Sequence, residues 1–98
     1  MKLLFTPQAT CDLGEIADYV HENSPASALR IRASILDALT NALAFPQIGR
    51  PQKAAGVRKL VAPRYGYLIY YVVDQSAAAV VVLSVQHPAR EREHEDKE

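Results

Sequence analysis

The stretch Phe45 to Gly56, FPQIGRPQKAAG, divides the chain into two parts with different hydrophobic periods. Its two prolines and two glycines mark a loop. Before it, apolar residues recur at helical spacing. Thr6-Pro7 reads as an N-cap followed by proline at the first helical position, where a missing N–H costs nothing. Ala9, Leu13, Ile16, Ala17 and Val20 then line one helix face, with Cys11, Glu15, Asp18 and Glu22 opposite. Ser24-Pro25 repeats the start signal, and Ala28, Ile31, Ile35, Leu36, Leu39, Ala42 and Leu43 form a second apolar arc that Pro46 ends. So short a link makes the two helices a hairpin. Arg32 projects inside the second arc, where we expect it to snorkel or to pair with an acid of the first helix, Asp12.

After the loop the pattern is that of strands. VRKLVA, YLIYYVV and AAVVVLSV are rich in β-branched and aromatic residues and are separated by the turn signals PRYG and DQSA. KLLF, Lys2 to Phe5, supplies a short strand ahead of the helices. The expected fold is α+β, in the order β-α-α-β-β-β, with the N-terminal helical hairpin packed on a small antiparallel sheet. The last two strands are apolar on both faces, so both faces of that part of the sheet should be covered, one by the hairpin and the other by something else, such as a partner.

At 98 residues the chain suits a single domain, placed at residues 1–90, and a domain of this size buries roughly 60 to 65 % of its unfolded surface. Residues 91–98, EREHEDKE, read as a charged flexible tail. The single cysteine, Cys11, rules out an internal disulfide and a cysteine-based zinc cluster, and no metal or cofactor is expected. No stretch of eighteen residues is purely apolar, and Pro7 and Asp12 interrupt the N-terminus too early for a signal-peptide core, so a cytoplasmic protein is expected, with no membrane contact.

A formal net charge of zero conceals a polarity along the sequence. Pro7 to Leu29 contains Asp12, Glu15, Asp18 and Glu22 with no Lys or Arg; Ala38 to Val73 contains Arg50, Lys53, Arg58, Lys59 and Arg64 with no acid. The tail carries −3 and residues 1–90 carry +3. Such a basic strip concentrates an anionic partner, which could be nucleic acid, an acidic peptide or an acidic protein surface, or it is simply a solvated loop. Arg58 and Lys59 alternate, so one should face solvent and the other lean toward an apolar face. Tyr65, Tyr67, Tyr70 and Tyr71 fit the packing of the sheet, and Cys11 an incidental exposed thiol.

The order and spacing of TPQATCDLGEIADYV, LAFPQIGRP, GVRKLV with Arg58, YLIYYV with Tyr67 and Tyr71, and VLSVQHPARE with His87 and Arg90 resemble the ParE/RelE superfamily of toxins from type II toxin–antitoxin systems, closer to the ParE-like branch. The likeness covers residues 2 to 90. Two positions depart from the pattern: Val72 stands where a basic residue often follows the strand tyrosine, and Pro88 where a glycine often follows the strand-ending histidine. The resemblance implies a cognate antitoxin, a small DNA-binding protein with a flexible C-terminal segment, and a toxin–antitoxin hetero-oligomer.

For the target, the ParE-like branch implies DNA gyrase, bound and inhibited without turnover, and Arg50, Arg58, Lys59, Arg64, His87 and Arg90 are the target-binding candidates. The RelE-like alternative is a ribosome-dependent endoribonuclease acting on mRNA, for which Arg58, Tyr67 and His87 are the catalytic candidates, as charge stabiliser, nucleotide contact and acid–base group. His87 equally fits a strand-end histidine hydrogen-bonded to backbone. A decayed toxin that only binds antitoxin is the third reading. Val72 and the lack of a clear acid–base set favour the gyrase inhibitor.

Overall fold

The computed structural model describes residues 1–90, and of Arg90 the backbone alone. Strand β1 (Lys2–Phe5) leads into helix α1 (Pro7–Asn23) and helix α2 (Pro25–Ala44), followed by β2 (Arg50–Pro51), β3 (Arg58–Val61), β4 (Leu68–Asp74), β5 (Ala79–Gln86) and a single 3-10 turn at Pro88–Arg90. The sheet has five strands in the order β1-β5-β4-β3-β2, and the hairpin lies across one face. The fold is α+β as expected, but the sheet is mixed rather than antiparallel, because β1 runs parallel to β5. Parallel neighbours need a crossover, and here the helical hairpin and the β2–β4 meander lie between the two strands. The extra strand β2 has two residues, too short to show an alternating pattern; its Pro51, lacking an N–H, sits at the sheet edge. The proposed tail, residues 91–98, lies outside the described residues. Among the described residues no helix is long and apolar enough to cross a membrane.

Helix α1 starts as the sequence requires, and its cap does two jobs. Thr6 Oγ1 accepts from the Ala9 N–H at 3.1 Å and donates to the Leu83 carbonyl at 2.8 Å. The second bond reflects the end of β1. Phe5 is its last residue, paired with Val82, and the Thr6 N–H continues the ladder to the Val82 carbonyl at 3.0 Å. Past that point β5 has no strand neighbour on this side, and α1 side chains take over. Asp12, 9 % exposed, accepts from the Val85 N–H at 3.0 Å through Oδ2 and from Gln8 Nε2 at 2.7 Å through Oδ1. Asp12 therefore does not pair with Arg32, which stays exposed on the outer side of the hairpin. The start of α2 also differs from the expectation: Ser24 makes no side-chain cap bond, its hydroxyl meets that of Ser27 at 2.9 Å, and its N–H closes α1 on the Val20 carbonyl.

Odd-numbered positions of β4 face the helices. Tyr67 and Ile69 join Ala9, Val20, Ile31, Ile35, Leu39, Val82 and Val85 in the main core, and Tyr71 and Val80 form a second cluster with Ala42. Leu68 and Tyr70 on the other face are also buried, in line with the doubly apolar pattern of the strand. The fully buried Tyr71 organises the loop after α2: its hydroxyl accepts from the Gly49 N–H at 2.9 Å and donates to the Pro46 carbonyl at 2.8 Å. A Cβ at position 49 would stand 2.7 Å from that hydroxyl and 3.0 Å from the Arg58 Cβ, so glycine is required by space.

Two stability measurements follow. Asp12→Ala leaves the buried Val85 N–H without an acceptor and should cost about 2 kcal/mol, a Tm fall of roughly 10 °C, while Glu15→Ala, one turn on and exposed, should change Tm by no more than about 2 °C. Equal effects would remove Asp12 from its structural role. Tyr71→Phe orphans both loop groups and should cost about 1–3 kcal/mol in urea unfolding, and Gly49→Ala a similar amount through overpacking. Neutral behaviour of both variants would mean that the loop is not held this way.

Candidate functional site

The candidate residues fall into two regions. The first is the basic strip on β2, β3 and the β3–β4 turn. Arg50 pairs with Lys59, and Lys59 with Tyr70, so these three share the sheet face away from the helices. Arg50 is exposed and Lys59 is buried. Arg58 points to the other side, where its guanidinium is taken up by the α2–β2 loop: Nη1 donates to the carbonyls of Gly49 at 2.8 Å and Gln47 at 3.1 Å, and Nη2 lies 3.5 Å from Gln47 Oε1. Neither member of the pair is a freely solvated side chain, because β3 is an inner strand flanked by β2 and β4. Arg64 is exposed in the β3–β4 turn at a left-handed φ of 72°. That turn is tied to α2 by the buried Ser34 hydroxyl, which donates to the Pro63 carbonyl.

The second region is a cleft of about 370 Å³ where α1 meets the end of β5. Tyr67 and His87 meet here with ring centroids 5.4 Å apart and planes at 87°. The contact follows from register, since Gln86 pairs with Leu68 and the residues just outside that pair become neighbours. His87 is exposed, and its Nδ1 accepts from the Ala89 N–H at 3.1 Å, so the neutral ring carries its proton on Nε2. Tyr67 is 5 % exposed; burial, with a smaller contribution from the charge of a nearby Tyr19 phenolate, raises its pKa above the ordinary tyrosine value. Asp12, Glu15 and Tyr19 complete the wall over a floor of Ile16 and Val85.

Tyr67 and His87 are thus brought together, and Arg58 is not with them. It pairs across the sheet with Tyr71, four residues along the strand from Tyr67, a span of about 13 Å at the usual strand rise. Arg64 lies at the same end as His87, the adjacent Gly66 facing Pro88. The Arg90 backbone is in the 3-10 turn after His87, and its side chain lies outside the described residues. Sequence reasoning missed the participation of Asp12, Glu15 and Tyr19 in this cleft. Their i, i+3, i+7 spacing puts them on one helix face, a signal that was present but could not be assigned to β5 without the topology. Among the described residues no cluster of His, Cys, Asp or Glu is arranged to hold a metal ion.

A third surface is apolar. A groove of about 440 Å³ runs between α1 and α2 along Leu13, Val20, Ile31 and Ile35, with Leu29, Leu36 and Phe5 exposed at its rim.

Comparison with known proteins agrees with this geometry. The model of the ParE toxin of type II toxin–antitoxin systems, parDE, matches residues 3–92. A putative toxin of Sinorhizobium fredii, Y4kP, is 30 % identical over 86 residues, covering 88 % of this chain and 86 % of the relative. Toxin RelE2 of Caulobacter vibrioides is 30 % identical over 89 residues, covering 91 % and 97 %. Among solved structures, the chromosomal ParDE toxin–antitoxin system from P. aeruginosa superimposes with a TM-score of 0.74 at 26 % identity, over 89 % of this chain and 95 % of that one. The helical hairpin, the mixed sheet and the match along nearly the whole chain lead to one conclusion: it belongs to the ParE toxins of type II toxin–antitoxin systems, within the ParE/RelE superfamily.

Proposed function

We propose that this toxin inhibits DNA gyrase by binding it, without turnover, and that a cognate antitoxin neutralises it. The observation that carries this reading is the dispersal of the groups an endoribonuclease would need. Moving a 2′-OH onto the adjacent phosphate requires a base, an acid and a cation converging on one phosphorus. Arg58 is about 13 Å along the strand from Tyr67, and its guanidinium holds the carbonyls of Gln47 and Gly49. His87 has its Nδ1 occupied by the Ala89 N–H, leaving Nε2–H as a donor, so the neutral ring has no lone pair free to act as a base. Binding needs no such convergence. Arg50 and Arg64 are exposed cations of the basic strip, and they supply the contact surface for an acidic region of the target.

The antitoxin reading is supported by solved relatives that are toxin–antitoxin systems and complexes. We assign the hairpin groove to it, because Leu29 at 73 % and Leu36 at 45 % exposure are apolar surface of the kind that marks a protein contact.

Purified protein is expected to block supercoiling by gyrase and to leave ribosome-bound messenger intact, with Arg64→Ala weakening inhibition about tenfold. Codon-positioned cleavage of messenger with no effect on gyrase would establish the enzyme instead, and inactivity in both assays would establish a decayed toxin. In cells, Leu29→Glu with Leu36→Glu should abolish protection by the antitoxin while gyrase inhibition persists. Full protection of that double variant would move the antitoxin to another face.

A further inference from the structure

The cleft between α1 and the end of β5 is acidic and aromatic, the opposite of the basic strip, and neither the gyrase reading nor the antitoxin groove uses its charge. Glu15 projects into it from α1 and makes no hydrogen bond or ion pair among the described residues. No Lys or Arg occurs between Pro7 and Leu29, so α1 itself supplies no cation beside it. Asp12 stands one turn earlier; each of its oxygens accepts one hydrogen bond, which leaves lone pairs on both. Tyr67 is 95 % buried, yet its hydroxyl has no hydrogen-bond partner among the described residues, and its neighbour across the cleft is the phenol of Tyr19. That oxygen is not sealed from solvent, and its acceptor and donor capacity is open to whatever enters the cleft.

We propose that this cleft is a receptor for an arginine side chain of a partner protein. Three features match that group. Glu15 and the remaining lone pairs of Asp12 offer carboxylate oxygens to a planar fork of N–H donors, and the Tyr67 hydroxyl offers a further acceptor. Tyr19 and the ring of His87 present aromatic surface on which a guanidinium stacks. Ile16 and Val85 give an apolar floor for the three methylenes of the arginine stem. An anionic ligand is repelled by the two carboxylates, and an apolar one would leave Glu15 and the Tyr67 hydroxyl desolvated and unmatched. The inference does not rest on the identity of the toxin's target: it concerns a surface of opposite charge.

The test uses the full chain and N-acetyl-arginine amide, followed through the aromatic NMR resonances of the five tyrosines and His87. Saturable shifts confined to Tyr19, Tyr67 and His87 are expected, with half-saturation in the roughly millimolar range for a single desolvated cationic contact. N-acetyl-citrulline amide, the neutral isostere, should give none. Glu15→Gln, on an exposed helix position that leaves the fold intact, should weaken binding by about fivefold or more, and Asp18→Asn, an exposed acid outside the cleft, should not change it. Tyr67→Phe should weaken it while the His87 resonance still reports the native ring contact. Equal shifts with citrulline, shifts spread over Tyr65, Tyr70 and Tyr71, or equal losses in Glu15→Gln and Asp18→Asn would overturn the assignment. Failure here would leave the supercoiling result untouched, and a negative supercoiling result would leave this binding intact.

Discussion

The edge of β5 beyond Leu83 is finished by a helix rather than by a strand, and the architecture of the functional end follows from that substitution. β1 stops at its fourth residue, Phe5, and a buried N–H and a part-buried carbonyl of β5 would face no partner there. The Thr6 hydroxyl takes the carbonyl of Leu83 and the Asp12 carboxylate takes the N–H of Val85. A helix supplies these groups because Thr6 is its cap and Asp12 lies a turn and a half further along. The axis of α1 is therefore fixed against β5 by polar bonds at two heights, in addition to the packing of Ala9 and Val20 in the core.

Fixing α1 in this way shapes both of its flanks. Toward β5, the helix face bearing Asp12, Glu15 and Tyr19 is held over the strand end where Tyr67 and His87 meet, and a cleft results in place of a packed seam. Toward α2, Leu13 and Val20 are left as one wall of an apolar groove. At the opposite edge of the sheet the Tyr71 hydroxyl and the Arg58 guanidinium clasp the loop from Pro46 to Gly49, so a charge that could have met solvent is spent on three main-chain and side-chain oxygens. The basic strip keeps Arg50 and Arg64 as exposed cations while Arg58 is taken up by the loop, and two acids of α1, Asp12 and Glu15, lie on the cleft side.

What could be read in the sequence was whatever is encoded locally. Thr6-Pro7 and Pro46 bound their helices because proline and a hydroxyl cap act within a few residues, and both boundaries are where those signals put them. Ser24 carried the same signal without making the bond, since its backbone is already committed to ending α1. The twin apolar strands and their turns were legible from composition and period, and Asp74 accepts from the Ser76 hydroxyl and the Ala77 N–H as a turn-starting aspartate should. The parallel pairing of β1 with β5 was not legible, because no turn between neighbours dictates it. Nor was the role of Asp12, whose partner is 73 residues away and is a backbone group with no sequence signature. Arg58 and His87 were visible as residue types suited to chemistry; that one is engaged by a loop and the other by the Ala89 N–H depends on main-chain paths a pattern does not encode.

Native-state hydrogen exchange at the Val85 amide tests the central claim most directly, because that N–H has no strand partner on its side of β5 and depends on a helix side chain. If α1 completes the edge, Val85 exchanges as slowly as the inner-strand amides of Ile69 and Tyr71, and Asp12→Ala speeds its exchange far more than theirs. Rapid exchange at Val85 in the wild-type chain, at the rate of a solvated edge, would contradict the account, since α1 would then be held to the sheet by apolar packing alone and the cleft beside it would have no fixed wall.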